Sequence, residues 1–122
     1  MAVSEKMKIQ LFLLDNNTCL TCRSSLKKPN GKPVLEAAHV WPSRKKGPDE
    51  LNNLISLCPT CHYMLDEYCY TFTPENKEIK YHDSLQEILS ERFCDYEPSS
   101  IERIALGYLK WHHERFENPD LR

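Results

Sequence analysis

Two pairs of cysteines and a histidine–aspartate pair are the residues of this 122-residue chain whose types and spacing suggest chemistry. The cysteines form two CxxC motifs, CLTC at 19–22 and CPTC at 58–61, and His62 and Asp66 follow the second motif. Thiolates suit zinc, whereas an imidazole and a carboxylate suit harder divalent ions. The segment LCPTCHYMLDE therefore offers ligands of two chemical kinds on one short stretch of chain.

The two CxxC motifs have the pattern of a structural zinc site. Each pair can form a tight knuckle, and four thiolates about 2.3 Å from one zinc ion close its coordination shell and leave no position for a substrate. We therefore predict one structural Zn²⁺ with four ligands: Cys19, Cys22, Cys58 and Cys61. A disulfide framework is the alternative. Cys69 and Cys94 have no partner at metal spacing and are expected to be buried small hydrophobes.

The N-terminal segment favours the metal interpretation over the disulfides. Its longest apolar run, IQLFLL, has six residues and is too short for a signal peptide or a membrane span. We therefore expect a reducing, cytoplasmic location, where paired cysteines usually bind metal.

His62 and Asp66 are left free if the cysteines hold zinc. Four residues apart on a helix, their side chains lie on the same face. One imidazole and one carboxylate could hold a divalent ion with open positions for water and phosphate. A surface hydrogen bond is the alternative interpretation of this pair.

Basic residues are concentrated between the two cysteine motifs. Seven basic residues and only one acidic residue lie between Arg23 and Lys46, although the whole chain has a net charge of −2. A local basic surface fits a phosphate-binding face, and a solvated lysine-rich loop is the alternative.

The elements that must position these residues are predicted to be short. We expect a helix over residues 4–14, with Met7, Leu11 and Leu14 on its buried face. Strands are predicted within residues 33–42 and 54–58, then a helix over 59–68 that begins at a proline. A hairpin of strands 69–73 and 77–82 follows.

The tail is predicted to be a helix capped by Ser99 or Ser100. Its apolar stripe would be Ile101, Ile104, Ala105, Leu109, His112 and Phe116. On such a stripe, His112 is expected to be a hydrogen-bonded core histidine, and His113 to be solvated.

Between the cysteine pairs, the strand ends in EAAHVWP and the following loop ends in NN. His39 lies 14 residues before Asn53, which lies nine residues before His62. With these spacings the sequence resembles the HNH nucleases, the ββα-metal group, closely from Cys19 to Asp66. The resemblance implies an α+β fold with a zinc-stapled ββα-metal core at about residues 19–70, followed by a hairpin and helices at 71–122, in one domain of residues 1–122.

The resemblance also implies roles for residues. His39 would be the general base that activates water, and Asn53 would orient His39 and pin the loop. His62 would bind the catalytic Mg²⁺ or Mn²⁺, with Asp66 as its second ligand. The phosphate-binding residues of the basic loop would be Arg44, Lys45 and Lys46.

One position departs from the family pattern. Many HNH proteins carry a metal ligand immediately before the general base, where this chain has Ala38. Glu36 is expected to lie too far from the ion, so Asp66 is the expected substitute. An Asp placed at position 38 is expected to face the helix and restore a ligand.

The function implied is metal-dependent hydrolysis of DNA phosphodiester bonds, in restriction, phage defence or a mobile element. A homodimer would supply the two active sites needed to cut both strands together. The alternative, favoured by Ala38, is a catalytically inactive, zinc-stabilised nucleic-acid-binding module.

Overall fold

The computed structural model describes residues 3–122, which form an α+β fold. Its helices and strands are, in chain order, α1 (Glu5–Leu14), β1 (Glu36–His39), β2 (Leu54–Leu57), α2 (Pro59–Asp66), β3 (Tyr70–Phe72), β4 (Ile79–Tyr81), α3 (Gln86–Arg92) and α4 (Leu106–Glu117). Within residues 3–122, no helix is both long enough and apolar enough to span a membrane.

The hairpin of β1 and β2 separates two clusters of apolar side chains. The strands pair antiparallel, with Ala38 opposite Ile55 and His39 opposite Leu54. Ala38 and Ile55 lie in the main core, whereas Ala37 and Leu54 contact a smaller cluster that includes Leu11 of α1. Because side chains alternate along a strand, His39 lies on the same face as Ala37, at the end of β1.

Helix α2 completes the predicted strand–strand–helix order. Pro59 occupies its first turn, where the missing backbone N–H costs no helical hydrogen bond. Cys61 and Leu65 are fully buried in the main core. The helix period then leaves His62 and Asp66 on a neighbouring face, where both are partly exposed.

The second hairpin carries a buried polar contact with α4. Strands β3 and β4 pair antiparallel, as predicted, with Tyr70 opposite Tyr81. His112 of α4 is buried and lies 2.7 Å from Thr71 Oγ1 through Nδ1 and 3.0 Å from the Leu65 carbonyl through Nε2. Since a carbonyl only accepts, Nε2 donates to Leu65 and the Thr71 hydroxyl donates to Nδ1. The prediction of a hydrogen-bonded core histidine is confirmed.

The buried face of α1 differs from the prediction. Leu11 is fully buried, but Leu14 is 52% exposed. The inward stripe continues from Leu11 to Asp15, one helical turn later, where a carboxylate is buried instead of a leucine. Asp15 accepts hydrogen bonds from the Ser56 amide at 3.0 Å and from Arg103 Nη1 at 3.0 Å.

Arg103 joins this carboxylate to the backbone around β2. Its Nε donates to the Leu51 carbonyl and its Nη2 to the Leu54 carbonyl, both at 2.8 Å. Together, Asp15 and Arg103 form a clamp that connects residues 88 positions apart in the chain.

The tail helix begins later than predicted, at Leu106, with Ala105 at the N-cap. Ser99 and Ser100 lie instead in a 3₁₀ turn, Pro98–Ile101. The Ala105 backbone is extended, and its N–H donates to the Asn52 carbonyl at 2.9 Å, so it cannot continue a helix from residue 101. Ile101, Ile104 and Leu109 are nevertheless buried, as predicted.

The first prediction concerns His112, because burial lowers its pKa from 6.5 to about 4. The unfolded chain binds this proton near pH 6.5 and the folded protein only near pH 4, so this contribution to stability is complete above pH 6.5 and falls as the pH drops. Between about pH 6 and pH 5, the wild type should lose up to about 1 kcal/mol per pH unit more than His112→Gln.

Urea unfolding with zinc in the buffer measures these free energies of unfolding. His113→Gln, the neighbouring change on the same helix, is the matched control and should keep the wild-type pH dependence. Equal pH slopes for the wild type and His112→Gln would contradict the prediction.

Candidate metal centre and active site

The four cysteines of the two CxxC motifs come together, as predicted. Their sulfur atoms all lie within 4.8 Å of one another, and the Sγ atoms of Cys22 and Cys58 are 3.9 Å apart. Four thiolates bound to one zinc ion at about 2.3 Å stand about 3.8 Å apart in a tetrahedron. The cluster is therefore positioned to bind a metal ion and is compatible with structural zinc.

The close packing of the four thiols opposes their simultaneous ionisation. Hydrogen bonds from Cys22 and Cys61 hold the pKa of Cys19 well below its usual range. The same hydrogen bond with Cys19 raises the pKa of Cys22 to about 11, and the pKa of Cys61 also rises. One thiolate thus makes its neighbours harder to ionise, so four thiolates this close require a shared positive charge.

Arg92 adds a positive charge at the edge of the cluster. From the end of α3, its Nε donates to Cys61 Sγ at 3.3 Å and its Nη2 to Cys58 Sγ at 3.6 Å. Such hydrogen bonds orient thiolate ligands and offset the negative charge of a four-thiolate site.

The two remaining cysteines are less buried than expected. Cys94 is exposed, and Cys69 is half-buried against the main core. Cys94 follows the end of α3, where the chain turns back to the surface, so it was wrong to expect a buried hydrophobe there.

A cavity of about 490 Å³ lies beside α1, β1 and α2, and we call it the histidine cavity. Four of its lining residues are candidate site residues from the sequence: His39, Arg44, His62 and Asp66. Others lie in or just before α1 and β1: Val3, Lys8, Leu35, Glu36 and Ala37. The structure thus brings the strand histidine and the helix pair to one cleft.

His39 is held by a carboxylate that the sequence analysis did not single out. His39 Nε2 lies 2.7 Å from Asp49 Oδ1, and the side chain of His39 is only 11% exposed. Because a carboxylate accepts hydrogen bonds, Nε2 carries the proton in the neutral imidazole, and Nδ1 keeps its lone pair.

Asn53 acts on the loop rather than on the His39 ring. This fully buried side chain accepts a hydrogen bond from the Trp41 N–H at 2.8 Å and donates to the carbonyls of Trp41 and Pro48 at 3.0 Å each. Pro48 precedes Asp49, so Asn53 fixes the segment that orients His39. Asn53 fixes the loop, as predicted, but the hydrogen-bond acceptor for the His39 ring is Asp49.

His62 lies between two carboxylates. Its Nδ1 is 2.7 Å from Glu36 Oε1, and its Nε2 is 3.3 Å from Asp66 Oδ2. The 2.7 Å contact with Glu36 is a hydrogen bond. The 3.3 Å distance to Asp66 is compared with the distance of about 3.0 Å between two neighbouring ligands that each lie about 2.1 Å from one octahedral ion. His62 Nε2 and Asp66 therefore fit a shared divalent ion, with Glu36 orienting the ring. Glu36 was expected to lie too far from the ion to be a ligand, and it contacts instead the His62 nitrogen that faces away from Asp66.

Asp66 has the electrostatics of a partly enclosed carboxylate. Burial raises its pKa, and the charges of His62 and Arg44 oppose that effect. A bound cation would stabilise its ionised form in the same way as these neighbours do.

Ala38 does not face the histidine cavity. It is fully buried in the main core, on the opposite face of β1 from His39. An Asp at this position would place an unpaired charge among apolar side chains, so the expectation that it restores a metal ligand was wrong.

The basic loop lies beside the cavity, but only part of it lines the cleft. Arg44, Lys45 and Lys46 are all exposed, and Arg44 alone of the three is a lining residue. The Trp41 indole N–H donates to the Lys45 carbonyl at 2.9 Å, and the Trp41 ring stacks on Trp111 of α4 at 5.7 Å between ring centroids. Helix α4 therefore supports the base of the loop.

Several residues of these sites were missed from the sequence. Leu85, Leu89 and Phe93, four residues apart, are a helical signal that could have predicted α3 and hence Arg92. Asp49 had no comparable signal, because a lone Asp after Gly-Pro is common in loops. Lys8 lies outside the segment that carried the motifs.

Comparison with known proteins agrees with the geometry. Residues 19–66 match the family model described as HNH endonuclease. The match begins at Cys19, the first cysteine of the cluster, and ends at Asp66. No curated protein matches the chain.

The second prediction is that one zinc ion co-purifies per chain and is lost when Cys58 is replaced by Ser. Because the cluster joins the ends of short elements, its loss should abolish cooperative thermal unfolding. Elemental analysis and calorimetry measure both effects. Cys94→Ser is the matched control and should keep the zinc. Folded wild-type protein without zinc would contradict the prediction.

Proposed function

We propose that this chain, whose residues 19–66 match the HNH endonuclease family, is a metal-dependent endonuclease that hydrolyses phosphodiester bonds of DNA. The observation that carries the proposal is the histidine cavity, in which an oriented imidazole, a histidine–aspartate pair and an arginine line one cleft. These are a base, a cation-binding pair and a phosphate-binding group.

His39 is the proposed general base. Its Nε2–H donates to Asp49, so Nδ1 is the nitrogen able to take a proton from an attacking water. The imidazolium that forms is stabilised by the Asp49 carboxylate 2.7 Å away. Because the ring is already fixed in the free protein, less rotational entropy is lost on reaching the transition state.

His62 and Asp66 are the proposed ligands of the catalytic ion, Mg²⁺ or Mn²⁺. Glu36 holds the Nδ1–H of His62, which directs the Nε2 lone pair toward Asp66. When bound, the ion supplies positive charge near the phosphate and the departing 3′ oxygen. Arg44 lies close enough to Asp66 to affect its pKa and is the proposed partner of the scissile phosphate.

Lys45 and Lys46 are proposed to contact phosphates further along the backbone, because both are exposed beside the cavity. A homodimer would provide two active sites for a double-strand break, and restriction or defence against phage would be a suitable biological role.

A catalytically inactive nucleic-acid-binding module is the second candidate, because Ala38 occupies a position where related proteins carry a ligand. The orientation of His39 by Asp49 favours the nuclease. A histidine oriented in a cleft with one ring nitrogen free is the arrangement that general-base catalysis needs.

The third prediction tests the nuclease directly. The wild type should nick or linearise supercoiled plasmid only with Mg²⁺ or Mn²⁺, and His39→Ala should cut about 10²–10⁴-fold more slowly. Asp66→Ala should raise the metal concentration needed for half-maximal cleavage, while His39→Ala should not. His113→Ala is the control and should cut at the wild-type rate. Metal-independent cutting, or none by zinc-loaded wild type, would reject the proposal.

The fourth prediction concerns Asp49. Asp49→Ala removes the acceptor for the His39 Nε2–H and should slow cleavage about 10–100-fold, mainly through kcat, because the base is no longer held in position. Asp49→Asn keeps an oxygen acceptor and should recover part of this loss. Glu50→Ala, the neighbouring exposed carboxylate, is the control. Equal rates for Asp49→Ala and the wild type would show that Asp49 does not orient the base.

A further inference from the structure

Helix α1 contributes a basic side chain to the histidine cavity, although it precedes the HNH match at residues 19–66. Lys8 lines the cavity together with Arg44, His39, His62 and Asp66. Its side chain is 34% exposed, whereas that of Lys6, two residues earlier, lies on the exposed part of the same helix.

The charges inside the cavity explain why a second cation is useful there. Glu36 and Asp66 both line it, and each carboxylate would repel an approaching phosphodiester. Arg44 alone offsets only one of them. Lys8 adds a second positive charge from a different element, which reduces the repulsion of an anionic backbone.

Lys8 is also available for a new partner. Its ion pair is with Glu5, at 3.4 Å and on the same helix, and the Glu5 side chain is 82% exposed. An exposed pair of this kind adds little to stability, so a phosphate can replace it at small cost.

The helix that carries Lys8 is firmly anchored. Ser4 caps its first turn by accepting from the Met7 N–H at 3.2 Å, and Leu11 is fully buried against the hairpin. At its end, Asp15 is held by Ser56 and Arg103. The backbone that carries Lys8 is therefore held in place beside the cavity.

We propose that Lys8 binds a backbone phosphate of the nucleic acid next to the scissile bond, which makes α1 part of the substrate-binding cleft. This inference rests on the proposed function, because it takes a phosphodiester strand as the occupant of the cavity.

Binding of a DNA duplex by catalytically disabled protein tests the inference without cleavage. In the His39→Ala background and without Mg²⁺ or Mn²⁺, the affinity for a fluorescent duplex is measured over a series of NaCl concentrations. Lys8→Ala should lower the slope of log affinity against log salt by about 0.9, the value for one lost phosphate contact. Lys8→Arg should keep the slope.

Lys6→Ala is the matched control, since it removes the same charge from the same helix away from the cavity. It should leave the slope unchanged. In an independent measurement, the protein that keeps both Lys8 and Lys6 is treated with an amine-acetylating reagent. Mass spectrometry then identifies the acetylated lysines. Bound duplex should protect Lys8 and leave Lys6 reactive.

The outcomes separate this inference from the proposed function. If Lys8→Ala lowers the slope and Lys6→Ala does not, Lys8 contacts phosphate, even where the wild type proves unable to cleave plasmid. If the wild type cleaves but both variants keep the full slope and Lys8 stays reactive, the inference is wrong and the nuclease proposal stands. Failure of the protein to bind DNA would overturn both.

Discussion

The sulfur atoms of the four-cysteine cluster lie within 4.8 Å of one another and would repel as thiolates unless a cation were bound between them. The short elements around the cluster depend on this constraint. β1 and β2 have four residues each and α2 has eight. Elements this short are marginal alone. One CxxC motif precedes β1, and the other joins β2 to α2. Because His62 directly follows Cys61, a metal bound by the sulfurs also fixes the position of the helix histidine.

Hydrogen bonds to backbone fix the other half of the site. The Asn53 side chain satisfies its oxygen and both amide hydrogens with Trp41 and Pro48, and so ties both ends of the basic loop together. The loop closes so tightly that a Cβ on Gly47 would lie 1.6 Å from the Trp41 carbonyl oxygen. Only glycine fits there. A rigid loop gives Asp49 a constant distance to His39, which a flexible lysine-rich loop would not provide.

Spacing in the sequence predicted the parts of the structure that follow from local rules. The CxxC motifs, the hairpin of β3 and β4 and the helix after Pro59 are local patterns, and the structure confirms them. Asp49, Glu36 and Arg92 could not be assigned in this way, because each acts through a contact made across the fold, over 10, 26 and 31 positions of chain respectively. The predictions for Leu14 and for the start of α4 were wrong for a related reason. Asp15 takes the buried position that a hydrophobic pattern assigns to an apolar side chain, and the bond from Ala105 to Asn52 interrupts the predicted helix.

The clamp of Asp15 and Arg103 has a consequence for transplanting this domain. Both residues lie outside the 19–66 match, one on each side, yet they bond to the Ser56 amide and to the carbonyls of Leu51 and Leu54 within it. In a graft of the matched segment alone, the Ser56 amide and the carbonyls of Leu51 and Leu54 would lose these hydrogen-bond partners. The portable unit therefore extends from α1 to Arg103, and a chimera built to the narrower boundary would need its own acid–guanidinium pair.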